Sequence, residues 1–527
     1  MEIYPLKGVY KSTEEVIVLI ENCKSDKIKI KVYNLNNCVL SKEYKQSKKE
    51  ISLGYLGEGG YGIIAKTEDG ECSCAFDVQD TNHIFRYGFL SDFSSDDKDN
   101  SDVLYLAKHH VNAIQFYDWS YRHHKLVSDA IEYTDMMGKN NNLLTIKNKI
   151  DEAHKRGMFA LGYGAVYAAA KDYADAHPEY RLYGSENKPI MFIDVFAIMN
   201  LNSGWLNHII SQYVDAVKNV GFDGIHMDTY GFPKTALDYQ GNTIHLENDF
   251  PTLIKKTRKA LPDAKLVFNN VGNWPVDVTK KEDVDAVYIE VWPFYNTYYH
   301  LKEIINNAKS ENKPVVIAAY PAAFRLDNAQ RALNSEIMLL CTINVHGATQ
   351  LWFGEENAAI TQGYYSDYKK LTNKQEKILR RYEDFFVRYE ELFFDNELID
   401  VSLTHAGWDN TEYRFNFNYT VTGEPGKLWA IIREKPGLKL VTIINLNGDE
   451  SMEWQKGRND AKTVRNMKMY VEVPEIVKNV FWMDPEKSNG TMQELCRETI
   501  DGKKFPELEI TIPSIKNLVT VVIETEK

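Results

Sequence analysis

The sequence predicts an α/β protein, a (β/α)8 TIM barrel flanked by an N-terminal β-sandwich and a C-terminal β-sandwich. Three observations predict it. Short β-type runs separated by Gly and Asn clusters fill residues 1–85 and recur after residue 396. Between them, apolar strand-like runs alternate with helix patterns at a mean interval of about 33 residues. There are eight such runs, the number a barrel of this kind requires. The chain of 527 residues divides on this reading into 1–85, 86–395 and 396–527.

Each element has its own signal. In the first region, Lys27 to Tyr33 alternates charged and apolar residues at period 2, as a strand with one wet face does. The region is expected to be an Ig-like antiparallel sandwich. The eight strand candidates of the middle begin near Val111, Met158, Pro189, Phe222, Leu266, Asp285, Pro314 and Val345. Helix patterns lie between them. Thr145 to Arg156 closes on Gly157, and a helix opened by Ser203 closes on Gly221. The interval after the fifth strand is too short for a full helix and predicts only a turn. Leu371 to Asp395 is one long amphipathic pattern expected to pack on the barrel. Beyond it, Leu428–Ile432, Leu438–Ile444 and Leu508–Val522 read as strands of the second sandwich.

Composition narrows the function. Lys plus Arg number 62 against 75 Asp plus Glu, a net charge of −13. That balance speaks against nucleic acid and anionic membrane surfaces as partners. Aromatic residues make up 12%, with 32 Tyr exceeding 23 Phe, which suggests rings needed at wet surfaces as well as in cores. No apolar stretch is long enough to span a membrane. The start has no basic segment followed by a long apolar run, so the chain as written reads as cytoplasmic, or as secreted if a leader was removed. The six cysteines are sparse, and Cys72-x-Cys74 lacks the second pair of a zinc site. No metal or cofactor is expected, and a monomer is. The charged run Ser94 to Asp102, including Lys98, reads as a solvated loop, in which Asp96, Asp97 and Asp99 leave a calcium ion undecided.

Barrel sites form at the C-terminal ends of the strands, so polar residues there are the candidates. They are Tyr117, Asp118 and Trp119, then Tyr163, Asp194, His226 and Asp228, then Asn269, Glu290, Trp292, Tyr320 and Trp352. Alternation places Gly224, His226 and Asp228 on one face, with Ile225 and Met227 on the other. The apolar pair suits the helix layer, so Asp228 points into the barrel mouth. The same argument turns Tyr288, Glu290 and Trp292 inward. Asp118 is a third acid at the rim. His226 reads as a hydrogen-bonding residue of the interior rather than a metal ligand.

Acids converging beside Trp and Tyr suit sugar chemistry, because sugar rings stack on aromatic planes and their hydroxyls bond to Asp, Asn and His. Glycoside cleavage needs one carboxyl as proton donor and another as nucleophile or base. Asp is short and ionises readily, whereas a Glu between Ile289, Val291 and Trp292 would have its pKa raised by desolvation. On that chemistry Asp228 is the nucleophile and Glu290 the acid/base. Tyr117, Trp119, Tyr163, Asp194, His226, Asn269, Trp292, Tyr320 and Trp352 are the expected substrate contacts.

Four segments carry a resemblance: Arg86–Phe93, Gln115–Trp119, Gly221–Gly231 and Tyr288–Pro293. With them the chain resembles glycoside hydrolase family 66, the dextranases and cycloisomaltooligosaccharide glucanotransferases, over nearly its whole length. The resemblance implies retaining endo-hydrolysis of α-1,6-glucosidic bonds in dextran or isomaltooligosaccharides. It implies Asp228 as nucleophile, Glu290 as acid/base and Asp118 as an essential acid where the attacked sugar binds. The cyclising members look like they carry a binding module of roughly a hundred residues near the end of the barrel. Here Trp352 lies only 20 residues before Thr372, so no such module fits and hydrolysis is expected over cyclisation. The alternatives are a glucanotransferase using the same site, a non-catalytic glucan-binding protein and, more distantly, a metal-dependent barrel hydrolase.

Overall fold

The computed structural model describes residues 1–45, 49–81, 83–97, 99–500 and 505–526. Lys98 of the charged run lies outside them. A mixed α/β fold is built around one large curled sheet. Eight parallel strands form its main path: β1 (Tyr87–Leu90), β2 (Ala113–Phe116), β3 (Phe159–Ala165), β4 (Gly224–Asp228), β5 (Lys265–Val271), β6 (Ala286–Glu290), β7 (Val315–Ala318) and β8 (Thr349–Gln350). Each pairs in parallel with the next. The chain leaving β8 returns to β1, where Gly354 pairs with Phe89.

The number of strands matches the expectation, but their membership does not. The run from Pro189 is not in this sheet. Met191–Phe192 and Phe196–Ile198 instead form a hairpin that pairs with Ala168–Ala170. Ile193 and Asp194 take φ values of 45° and 57°, so the chain reverses after two residues and cannot cross a sheet. Its place is taken by β1, a four-residue strand buried throughout.

Side-chain alternation sorts the sheet into two layers. Tyr87, Phe89, Leu161, Val267, Tyr288 and Val316 fill the interior. Ile225, Met227, Val287 and Ile289 belong to the outer cluster, packed with the helices. Gly224 is required by the pairing itself: a Cβ there would sit 1.8 Å from the Lys265 carbonyl oxygen. The helix Leu143–Lys155 is capped by Asn142, whose side chain accepts from the Leu144 and Thr145 amides. After β5 there is only the four-residue helix Val276–Thr279, as the short interval required. The long amphipathic pattern becomes Asn373–Arg388, opened by a Thr372/Gln375 capping box, followed by Glu390–Phe393.

On the N-terminal side, a three-stranded and a four-stranded antiparallel sheet share a core that includes Ile3, Val18, Ile30 and Ile63. Arg86 ties this region to the curled sheet. Its guanidinium donates to both Asp77 carboxylate oxygens at 2.6 Å and to the His110 carbonyl. On the C-terminal side, the strands Leu428–Lys435 and Leu438–Asn445 are buried on both faces. Trp429 and Ile431 join the core under the curled sheet's helices, while Leu428 and Ile432 face the second sheet. Arg433 donates to the Leu392 and Phe393 carbonyls and so caps the end of the helix Glu390–Phe393.

The charged run is more ordered than a solvated loop. Asp97 and Asp102 pair with Lys149 at 2.6 and 3.3 Å, and Lys149 is almost fully buried. Glu355 completes that acidic group. Among the described residues, no helix is long and apolar enough to cross a membrane.

Candidate active site

At the C-terminal ends of the strands the structure opens a cavity of about 630 Å³. Asp228 ends β4 and Glu290 ends β6, two strands apart, and both reach it. β5 lies between them and sends in Asn269. The Asn269 side-chain nitrogen donates to Asp228 Oδ1 at 2.6 Å and to Glu290 Oε2 at 3.0 Å. The other oxygen of each acid is also held. Tyr163 of β3 donates to Asp228 Oδ2 at 2.8 Å, and Tyr320, just past β7, donates to Glu290 Oε1 at 2.6 Å.

The Tyr320 hydroxyl continues the chain of bonds. It lies 3.2 Å from the Tyr365 hydroxyl, which lies 3.0 Å from that of Tyr288. Tyr365 also stacks on Tyr117, with ring centroids 4.5 Å apart. Gly363 lets this loop approach the acid: a Cβ there would be 3.2 Å from the Trp292 ring and 3.4 Å from Glu290 Oε1.

Burial controls the charges. It pushes the Asp228 carboxyl up to about 7, with the neighbouring Glu290 adding to the effect and the Asn269 and Tyr163 hydrogen bonds opposing it. Glu290 is raised by burial too, against hydrogen bonds from Tyr320, Asn269 and Trp292. Asp118 is pushed up to about 7, chiefly by burial. The expected division between a freely ionised Asp and a raised Glu is therefore not what the site shows. Both acids sit in the same closed, tyrosine-rich surroundings, and a short side chain gives no relief from them.

Of the expected contacts, Tyr117, Tyr163, Asn269, Trp292 and Tyr320 line the cavity with the three acids. Four do not. Asp118 has a φ of 51°, which breaks the alternation of β2. Asp118 therefore reaches the cavity, while Trp119 is buried against Phe222 and donates to the Tyr163 carbonyl at 3.0 Å. Trp352 follows the inward-facing Leu351 and so lands in the outer layer, bonded to Glu383. His226 is buried one layer below the site, 3.0 Å from the Tyr87 hydroxyl. Burial lowers its pKa to about 3, which leaves the ring neutral. Asp194 is exposed in the hairpin turn, although Phe192, Ile193 and Phe196 of the same hairpin line the cavity.

Sequence reasoning also missed residues. His123 lines the cavity, stacked on Phe196 at 4.6 Å. Tyr364 and Tyr365 arrive from beyond β8, where a pair of adjacent tyrosines after Gly363 was the available signal.

The arrangement provides two carboxyls bridged by one donor, a third acid and an aromatic wall, which is equipment for acid/base and nucleophilic chemistry on a sugar. Comparison with known proteins agrees with that equipment. The family described as "Glycosyl hydrolase family 66" matches residues 6–522. A cycloisomaltooligosaccharide glucanotransferase of Niallia circulans is 24% identical over 634 aligned positions, covering 90% of this chain and 64% of that protein. A second from the same organism is 23% identical, covering 88% and 63%. The chain thus spans less than two thirds of the length of these relatives.

Among solved structures, a Paenibacillus sp. cycloisomaltooligosaccharide glucanotransferase complexed with cycloisomaltoheptaose superposes with a TM-score of 0.90. Its identity is 19%, with 99% of each chain covered. An α-amylase from Geobacillus thermoleovorans complexed with acarbose gives a TM-score of 0.53 at 11% identity, covering 85% of this chain and 100% of that one. These likenesses show a shared fold. With the match running almost from end to end, the chain belongs to glycosyl hydrolase family 66.

Proposed function

We propose that the protein is a retaining endo-glucanase that hydrolyses α-1,6-glucosidic linkages in dextran or isomaltooligosaccharides. The observation that carries this reading is the Asn269 bridge. The two carboxylate oxygens it joins are separated by no more than the combined length of its two bonds, about 5.6 Å, which is short of the ~6.5–9.5 Å of inverting enzymes and so favours retention.

In this mechanism Asp228 attacks the anomeric carbon while Glu290 gives its proton to the departing glycosidic oxygen. The bond to the leaving sugar breaks as the bond to Asp228 forms. Glu290, now ionised, takes a proton from water, and the water oxygen displaces Asp228 to release the sugar with its anomeric configuration kept. Asp118 binds the attacked sugar beside them, and Tyr117, Trp292 and Tyr364 supply stacking faces. We read the curled sheet, joined through residues 349–354 to both of its ends, as a (β/α)8 barrel with a β-sandwich on each side, divided as 1–85, 86–395 and 396–527.

A second reading, transfer of the glucosyl chain to its own far end, is favoured by the names of the two Niallia circulans relatives. Against it, the 634 aligned positions exceed the 527 residues of this chain, so the relative contains inserted segments that this chain lacks. Incubation with dextran, followed by product analysis with anomers resolved, tests both. Linear sugars with new reducing ends, α-anomer first, are expected, and Asp228→Asn and Glu290→Gln should abolish them. Cyclic products would establish the second reading, and β-anomer first would refute retention.

A further inference from the structure

We propose that Asn269 is a positioning residue for the reaction: its amide holds Asp228 and Glu290 a fixed distance apart, so that one carboxyl carries the proton and the other stays ionised. This rests on the reading of those two acids as the reacting pair.

Three observations carry it. First, among the described hydrogen bonds Asn269 Nδ2 alone reaches both acids, one amide hydrogen to each. Second, no lysine or arginine is among the described residues lining the cavity, so no cation compensates the pair. Third, the Asn269 carbonyl oxygen is buried with no hydrogen-bond partner. Turning the amide over would put that oxygen between two carboxylates, where it could only repel. Only the orientation with the NH2 group inward gives each acid a donor.

The other groups facing the pair do not replace the amide. Asp118 adds a third acid rather than a counter-charge. His226 Nε2 is 4.0 Å from Asp228 Oδ1, but its ring is neutral. Tyr163 and Tyr320 each hold one acid, and neither touches both. Tyr230, Tyr288 and Tyr365 remain protonated phenols, raised by burial. Without Asn269 the two carboxylates face each other with no donor between them. Both ionisations then become harder, and the second, which forms the pair of anions, suffers most.

The test compares wild type with Asn269→Leu, which keeps the volume and removes the amide, and with Asn269→Asp, which keeps the shape. On dextran, kcat should fall on the order of 10- to 100-fold for Asn269→Leu, with KM within about twofold. Both limbs of the pH–rate profile should move to higher pH, the alkaline limb further. Asn269→Asp should lose more activity, because it adds a charge. Limbs that stay at their wild-type positions in both variants would overturn the proposal, whatever happens to kcat. Infrared titration of the carboxyl band in wild type and Asn269→Leu reads the same shift without substrate. If wild type does not cleave dextran, the proposed function fails, while an unmoved carboxyl titration would still refute the positioning role separately.

Discussion

Replacing Asp228 by Asn should stabilise the protein at neutral and alkaline pH while destroying activity. The carboxyl titrates at about 7 in the fold against 3.8 in the unfolded chain, a rise of about 3 units. At ~1.36 kcal/mol per unit this amounts to about 4 kcal/mol. The sign follows from proton binding. Between these two values the folded protein holds a proton that the unfolded chain has released, so stability declines as pH rises toward about 7 and is then flat. Asn carries no charge to bury and escapes that decline. It forfeits part of the hydrogen bonding from Asn269 and Tyr163, an offset of about 1 kcal/mol that the gain should exceed. The assay is guanidinium unfolding of wild type and variant at about pH 5 and about pH 8. The advantage of the variant should widen by about 3 kcal/mol from the lower to the higher pH, the part of the decline that lies between about pH 5 and about 7. An advantage of the same size at both, or a variant less stable than wild type at about pH 8, would refute the claim that burial raises this group.

Two substitutions test where the structure departs from the sequence reading. Trp119→Ala should cost about 3–5 kcal/mol in denaturant unfolding, because the ring is fully buried, whereas Trp292→Ala, at 39% exposure beside the acid, should leave unfolding nearly unchanged and reduce kcat/KM on dextran. Gly224→Ala drives a methyl group into the Lys265 carbonyl between β4 and β5, and the expected outcome is loss of soluble, cooperatively unfolding protein by circular dichroism.

Much of the site was legible because it rests on period-2 alternation. Asp228 and Glu290 end strands whose outward partners, Ile225 and Met227, Val287 and Ile289, are unambiguously apolar, and those strands stay regular to their last residue. The reading failed where regularity ends. A left-handed residue at Asp118 and the parity at Leu351 sent Trp119 and Trp352 into the helix layer. The Pro189 run had strand composition, but no composition reveals that Ile193 and Asp194 turn it into a hairpin. The tyrosine loop beyond β8 was missed for a related reason: the adjacent tyrosines after Gly363 are visible in the sequence, but a loop has no periodicity to say which side chain it will lay against Glu290.

What the residues alone determined is the alternation of strands and helices and the inward phase of two acids. These follow from local sequence spacing, which is independent of how distant segments meet. Only the tertiary structure decided that Asn269 stands between the acids, that Tyr320 and Tyr365 support one of them, and that Asp228 is raised as well as Glu290. Hydrogen bonds between neighbouring strands depend on register, and charge depends on how much water the whole mouth excludes. Both are properties of the closed site and of no single segment.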